Sequence, residues 1–91
     1  MNAIELIPAK RIVPVVVIND AAHAVPLAEA LVDSGIESIE VTLRTSSAMD
    51  AIAAIARASV NIKIGAGRVA TPDQLRAVRE IGAEFAVSPG A

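Results

Sequence analysis

Four segments with strand character recur along this 91-residue chain, beginning near Val13, Ile39, Ile62 and Phe85, at spacings of 26, 23 and 23 residues. Each interval has room for one helix and two short loops, which is the connection that joins parallel strands. The first segment, Ile12 to Ile18, is continuously apolar and mostly β-branched, so it reads as a strand buried on both faces. Pro14 lacks an N–H and suits a strand start or an edge. Asn19-Asp20 offers a helix N-cap, and the helix runs to Ser34 with Gly35 as its stop. Pro26 is awkward inside that span: either the helix bends there or its regular part begins near His23. The second strand covers Ser38 to Leu43. Thr45-Ser46-Ser47 then reads as the cap of a helix through Ala58. Ile62 to Gly67 is the third strand. In Thr71-Pro72-Asp73-Gln74, a Thr cap, a Pro at the first helical position and a Gln three residues after the cap mark a helix start. That helix ends at Gly82, and Glu84 to Ser88 is the fourth strand, broken by Pro89-Gly90.

The expected fold class is therefore α/β, a βαβαβαβ parallel array in one domain over residues 1–91. Crossovers of this kind are right-handed in nearly all cases. If neighbouring strands follow sequence order, all three helices fall on one side of the sheet. The other side is then bare unless the sheet closes, and a closed (β/α)8 TIM barrel needs eight such units. The chain reads as the first four strands and three helices of such a barrel. A four-stranded doubly wound sheet is the alternative, if one connection crosses to the opposite face.

Composition narrows the function. Hydrophobic residues make up 54% of the chain, which excludes intrinsic disorder. Phe85 is the only aromatic and the net charge is −2, so there is neither a stacking platform nor a basic patch for nucleic acid. The absence of Cys removes disulfides, thiolate nucleophiles and zinc-finger spacings, and fits a reducing, cytoplasmic compartment. The N-terminal stretch lacks the apolar core of a signal peptide. The run from Ile12 to Ile18 is far too short to span a bilayer, so no membrane partner is expected.

The second strand carries the chemistry. In Ile39-Glu40-Val41-Thr42-Leu43-Arg44-Thr45 apolar and polar residues alternate, putting Ile39, Val41 and Leu43 on one face and Glu40, Thr42 and Arg44 on the other. Strands of a parallel sheet are usually apolar throughout, so a carboxylate and a guanidinium on one face are costly. Sites in these folds lie at the C-terminal strand ends, where Arg44 sits with Glu40 deeper on the same face. Arg suits a carboxylate or phosphate through its planar fork. A carboxyl group shielded from water can take up and release protons. Arg68, just after the third strand, would lie beside them, and the excess positive charge would hold a small anion. An exposed strand face with a solvated ion pair is the competing interpretation.

Other motifs say less. Gly65-Ala66-Gly67-Arg68-Val69-Ala70 matches a loose dinucleotide pattern, but its glycines do not open directly into a helix, whose cap is Thr71. It reads better as a tight turn that lets a ligand approach the backbone. His23 is the only histidine, so no His-based metal cluster exists within one chain. It reads as a helix-surface residue. The only lysines are Lys10 and Lys63. Lys63, at the start of the third strand and out of phase with Arg68, is expected to reach to solvent rather than act as an amine nucleophile.

Taken together, Val13-Pro14-Val15-Val16-Val17, His23-Ala24-Val25-Pro26-Leu27-Ala28, Gly35 to Thr45, Gly65-Ala66-Gly67 and Ser88-Pro89-Gly90 resemble the 2-keto-3-deoxy-6-phosphogluconate aldolases, also described as keto-hydroxyglutarate aldolases. A sister family acting on 6-phosphogalactonate differs at the position of Arg44, where it has Asn. The resemblance implies a class I aldolase of trimeric (β/α)8 barrels with no cofactor, in which a lysine of the sixth strand forms a Schiff base with pyruvate or the keto acid. It implies Glu40 as general acid/base, Arg44 on the keto-acid carboxylate, Pro89 against the pyruvate moiety, and Gly65 and Gly67 making room for substrate. Where the family has a carboxylate-binding Thr, this chain has Arg68, which could hold an anion or fill the pocket. Neither lysine matches the Schiff-base position, so the expectation is that the chain alone is inactive and needs the C-terminal half in trans. The other expectation is a non-catalytic, self-associating anion-binding module.

Overall fold

The computed structural model describes residues 13–88. Lys10, Ile12 and Pro89 lie outside this range. Four parallel strands, β1 (Val15–Val16), β2 (Ser38–Thr42), β3 (Lys63–Gly67) and β4 (Phe85–Val87), form one sheet in the order β1-β2-β3-β4. Helices α1 (Ala24–Asp33), α2 (Ala48–Arg57) and α3 (Pro72–Glu80) connect them in turn. Strand order follows chain order throughout, so the doubly wound alternative does not hold.

All three helices contribute to one core. Ala24 and Ala28 of α1, Ile52 and Ile55 of α2 and Val78 of α3 are fully buried with Ile39 and Val41 of β2, Ile64 and Ala66 of β3. The sheet residues in that set alternate with period two, so the helices cover one face only. The small alanines let the helices approach the sheet closely, and the branched Ile side chains fill the space between.

The first strand departs from expectation. Ile18 is buried and Val16 packs on the core, but Val13, Val15 and Val17 are exposed, Val15 to 64%. The apolar run is continuous, yet among the described residues nothing covers the far face of the sheet. Its regular pairing is also short, two residues, and β2 is its one neighbour among the described residues. The Pro14 carbonyl accepts from Glu40 N–H at 2.9 Å, just ahead of β1.

Helix ends follow local chemistry. Asp20 accepts from Ala22 N–H at 2.9 Å and opens a 3-10 turn over Ala21–His23 that leads into α1. Pro26 then falls at the third helical position, where the missing N–H has no partner to lose, so the helix starts late rather than bending. Exposed His23 ends that turn. Gly35 has φ 85° and donates to Val32 O, while Ile36 donates to Leu31 O, closing α1 with a Schellman motif. Gly82, at φ 120°, closes α3 the same way, with Ala83 donating to Val78 O at 2.9 Å. At the start of α3 the Thr71–Gln74 capping box is complete, with Pro72 at the first position.

The hydroxyls before α2 behave otherwise. Ser47 occupies the N-cap position but makes no capping bond. Its Oγ donates instead to Asn19 O at 3.0 Å, and Thr45 Oγ1 donates to Ile18 O at 2.6 Å. Residues that read as caps thus tie the loop after β2 to the loop after β1.

Gly82→Ala should destabilise the chain by about 1–3 kcal/mol, because alanine does not tolerate that backbone conformation. A β-carbon there would also sit 2.5 Å from that of Ala56. Thermal unfolding followed by circular dichroism measures this, and an unchanged midpoint would remove Gly82 from the account of how α3 ends.

Candidate active site

The uncovered face of the sheet is read in rows across the strands. Register pairs Val15 with Glu40, Glu40 with Gly65, and Gly65 with Phe85. The next row toward the C-terminal ends holds Thr42, Gly67 and Val87. A side chain in a parallel sheet shares its face with its register partners, so these residues line one surface. The two glycines give that surface its relief. A β-carbon on Gly65 would overlap the ring of Phe85, and one on Gly67 would overlap the carboxylate of Glu40. The Phe85 ring therefore lies over Gly65, and the Glu40 side chain leans toward the strand ends over Gly67.

A cleft of about 370 Å³ opens at this end of the sheet. Val15 and Val17 form one side and Val87 and Ser88 the other, with Glu40 and Thr42 between them and Arg44 and Arg68 also on the lining. Glu40 is half-buried, and both arginines are exposed. The only ion pair among the described residues joins Asp73 and Arg76 on α3. Within that set neither Arg44 nor Arg68 has a carboxylate partner, and the Glu40 carboxylate accepts no hydrogen bond. Two guanidiniums and one carboxylate leave one excess positive charge, an arrangement that attracts a small anion.

Arg68 reaches the cleft by an unexpected route. Simple alternation along β3 would put it with Ile64 and Ala66, facing the helices. Its φ is 61°, so the chain takes a left-handed step after Gly67. That step, uncommon for a residue with a β-carbon, turns the side chain onto the cleft. It is followed by a bond from Val69 N–H to Val87 O at 3.0 Å.

Lys63 lies apart from this cluster. It is exposed at the N-terminal end of β3, next to Glu37 and Glu84 at the opposite end of the strands. Thr42 is the residue that pattern analysis placed on the polar face without assigning it a task. It is only 5% exposed, and among the described residues its buried Oγ1 has no hydrogen-bond partner. Its place in the Glu40, Thr42, Arg44 alternation was the available signal.

A parallel βα array with its strands in chain order and its helices on one face has the architecture of part of a (β/α) barrel, a class of fold in which sites lie at the C-terminal strand ends. Comparison with known proteins narrows the class. The family model for KDPG and KHG aldolase matches residues 4–91, and the chain belongs to that family. The KHG/KDPG aldolase of Escherichia coli is 53% identical over 79 residues, covering 87% of this chain and 37% of that protein. The 2-dehydro-3-deoxy-phosphogluconate aldolase of Dickeya dadantii is 47% identical over 89 residues, 98% of this chain and 42% of that one. Among solved structures, the KDPG aldolase of Legionella pneumophila, described with pyruvate captured as a covalent carbinolamine, superposes with a TM-score of 0.84 at 45% identity. It covers 92% of this chain and 41% of that one. The chain thus spans about two fifths of the length of the relatives it matches.

Titration with inorganic phosphate, followed by amide NMR shifts, should show weak binding at residues 42–45 and 67–69. Arg44→Ala should weaken it about tenfold, as expected for loss of a charge-assisted bidentate contact. Unchanged shifts in that variant would return the cleft to a solvated strand face.

Proposed function

We propose that the chain supplies the N-terminal part of the active site of a class I keto-acid aldolase. The reaction would split 2-keto-3-deoxy-6-phosphogluconate or 4-hydroxy-2-oxoglutarate into pyruvate and an aldehyde. The observation that carries this is the Glu40 carboxylate lying over Gly67, in a cleft lined by two arginines that have no carboxylate partner among the described residues. A retro-aldol step needs a base for the hydroxyl on the carbon being released. It also needs an electron sink at the keto carbon and a cation for the carboxylate. Glu40 suits the first role: it removes the hydroxyl proton as the C–C bond breaks, and later returns a proton to the pyruvate carbon. Arg44 and Arg68 suit the third. Pro89 would lie against the pyruvate moiety. Gly67 makes room for the Glu40 carboxylate, and Gly65 for the Phe85 ring that lies beside it across the sheet.

The electron sink is a protonated Schiff base on a lysine amine. Lys63 stands at the opposite end of its strand from Arg68. It is exposed beside Glu37 and Glu84 and does not line the cleft that holds Glu40. This reading therefore assigns the amine to a lysine supplied by the rest of the barrel. Borohydride reduction of the chain with pyruvate, read by intact mass, should give no adduct. A stable adduct mapped to Lys63 would replace this assignment.

A second reading has its own observation. Val13, Val15, Val17 and Val87 are exposed together on the uncovered face, and β1 and β4 each lack a neighbour on one side among the described residues. Such a face and such edges favour association, either with a second copy or with the remaining strands of a barrel. Light scattering of the isolated chain should give a mass above 9.3 kDa. A compact monomer that binds no hydrophobic dye would argue against both the open face and the self-associating module.

A further inference from the structure

Thr42 carries a group that the proposed chemistry does not yet use. Its Oγ1 is buried, on a residue only 5% exposed, and among the described residues it has no hydrogen-bond partner. A threonine hydroxyl in a strand can satisfy itself on a nearby carbonyl or a cross-strand side chain. Here the Thr42 carbonyl accepts from Arg44 N–H at 2.8 Å, but among the described residues the hydroxyl makes no hydrogen bond to backbone or side chain. Buried polar groups are rarely left this way, because burial removes the hydrogen bonds that water would have made. The Thr42 side chain lines the same cleft as Glu40, Arg44 and Arg68. It stands in the row of Gly67, the row toward which the Glu40 carboxylate leans, and two positions below Arg44 on the same strand face.

We propose that Thr42 Oγ1 is a ligand contact of this cleft, donating a hydrogen bond to the oxo oxygen of a short α-oxo carboxylate whose carboxylate group lies on Arg44 and Arg68. The inference rests on the reading of the cleft as a keto-acid site. The chemistry of the three groups distinguishes this ligand from a simple anion. Two guanidiniums that have no carboxylate partner among the described residues satisfy a phosphate or a carboxylate on their own. A single neutral donor set deeper, beside an acid, matches a second and uncharged oxygen on the neighbouring carbon. The hydroxyl has one O–H to donate, and an oxo oxygen is an acceptor only. Thr42 thereby contributes to selecting α-oxo acids over other anions of similar charge.

The test compares pyruvate with inorganic phosphate by NMR titration of the wild-type chain, T42V, T42A, T42S and R44A. T42V and T42A should bind pyruvate about five- to tenfold more weakly, the usual range for one lost hydrogen bond to a ligand. Both should bind phosphate within about twofold of wild type. T42S, which restores the hydroxyl, should bind both anions nearly as wild type does. T42V should also unfold at a higher temperature, since it removes a buried hydroxyl that has no partner among the described residues. If T42V and T42A bind pyruvate as wild type does while R44A weakens it, the hydroxyl is not a ligand contact and the inference fails alone. If R44A leaves pyruvate binding unchanged, or wild type shows no pyruvate shifts, the keto-acid reading fails with it.

Discussion

The pairing of β2 with β3 sets everything that follows. Glu40 opposite Gly65 and Thr42 opposite Gly67 place two residues without side chains beside the polar face of β2. The carboxylate then has somewhere to lean, and the Phe85 ring of the next strand has somewhere to lie. A slip of one residue would move every side chain of β2 to the other face. Ile39 and Val41 would leave the core, and Glu40 would enter it unpaired. The core therefore enforces the register, and the register positions the acid.

The two faces of the sheet have different tasks. The helix side is closed by Ile39, Val41, Ile52, Ile55, Ile64 and Val78, all buried. The other side holds Val13, Val15, Val17 and Val87, exposed, around a polar centre. In a closed barrel such a face becomes the interior, filled by layers of side chains from alternate strands. The relatives are two to three times the length of this chain, which agrees with a sheet that continues past β4 or before β1 in them.

Stability at the site end comes from loop-to-loop bonds. Thr45 to Ile18 and Ser47 to Asn19 join two loops that lie far apart in sequence. They sit just beyond β1 and β2, at the end where the cleft opens. Arg44 is thus placed on a short segment between Thr42 and a tied-down Thr45, which limits how far its backbone can move.

Much of the fold was legible in the residues themselves. The apolar alternation of 39–43, the Thr71-Pro72-Asp73-Gln74 start and the Gly35 and Gly82 stops depend on a few adjacent residues, so local chemistry decided them. The same alternation put Glu40, Thr42 and Arg44 on one face. The family motif supplied the assignment of roles, which periodicity alone could not. Other features needed the whole sheet. Continuous hydrophobicity in 12–18 implied burial on both sides, but burial depends on what packs against a strand, and that is decided by strand order. Thr45 and Ser47 carry good capping groups, yet their hydroxyls found closer partners on a loop more than twenty-five positions away. Arg68 faces the cleft because one residue takes a left-handed backbone step, which no alternation rule anticipates. The residue order determined which groups share a strand face, because that follows from the period of the chain. Only the tertiary structure decided which of those groups lost their water and which were left without a partner, because desolvation is a property of neighbours brought together from different strands.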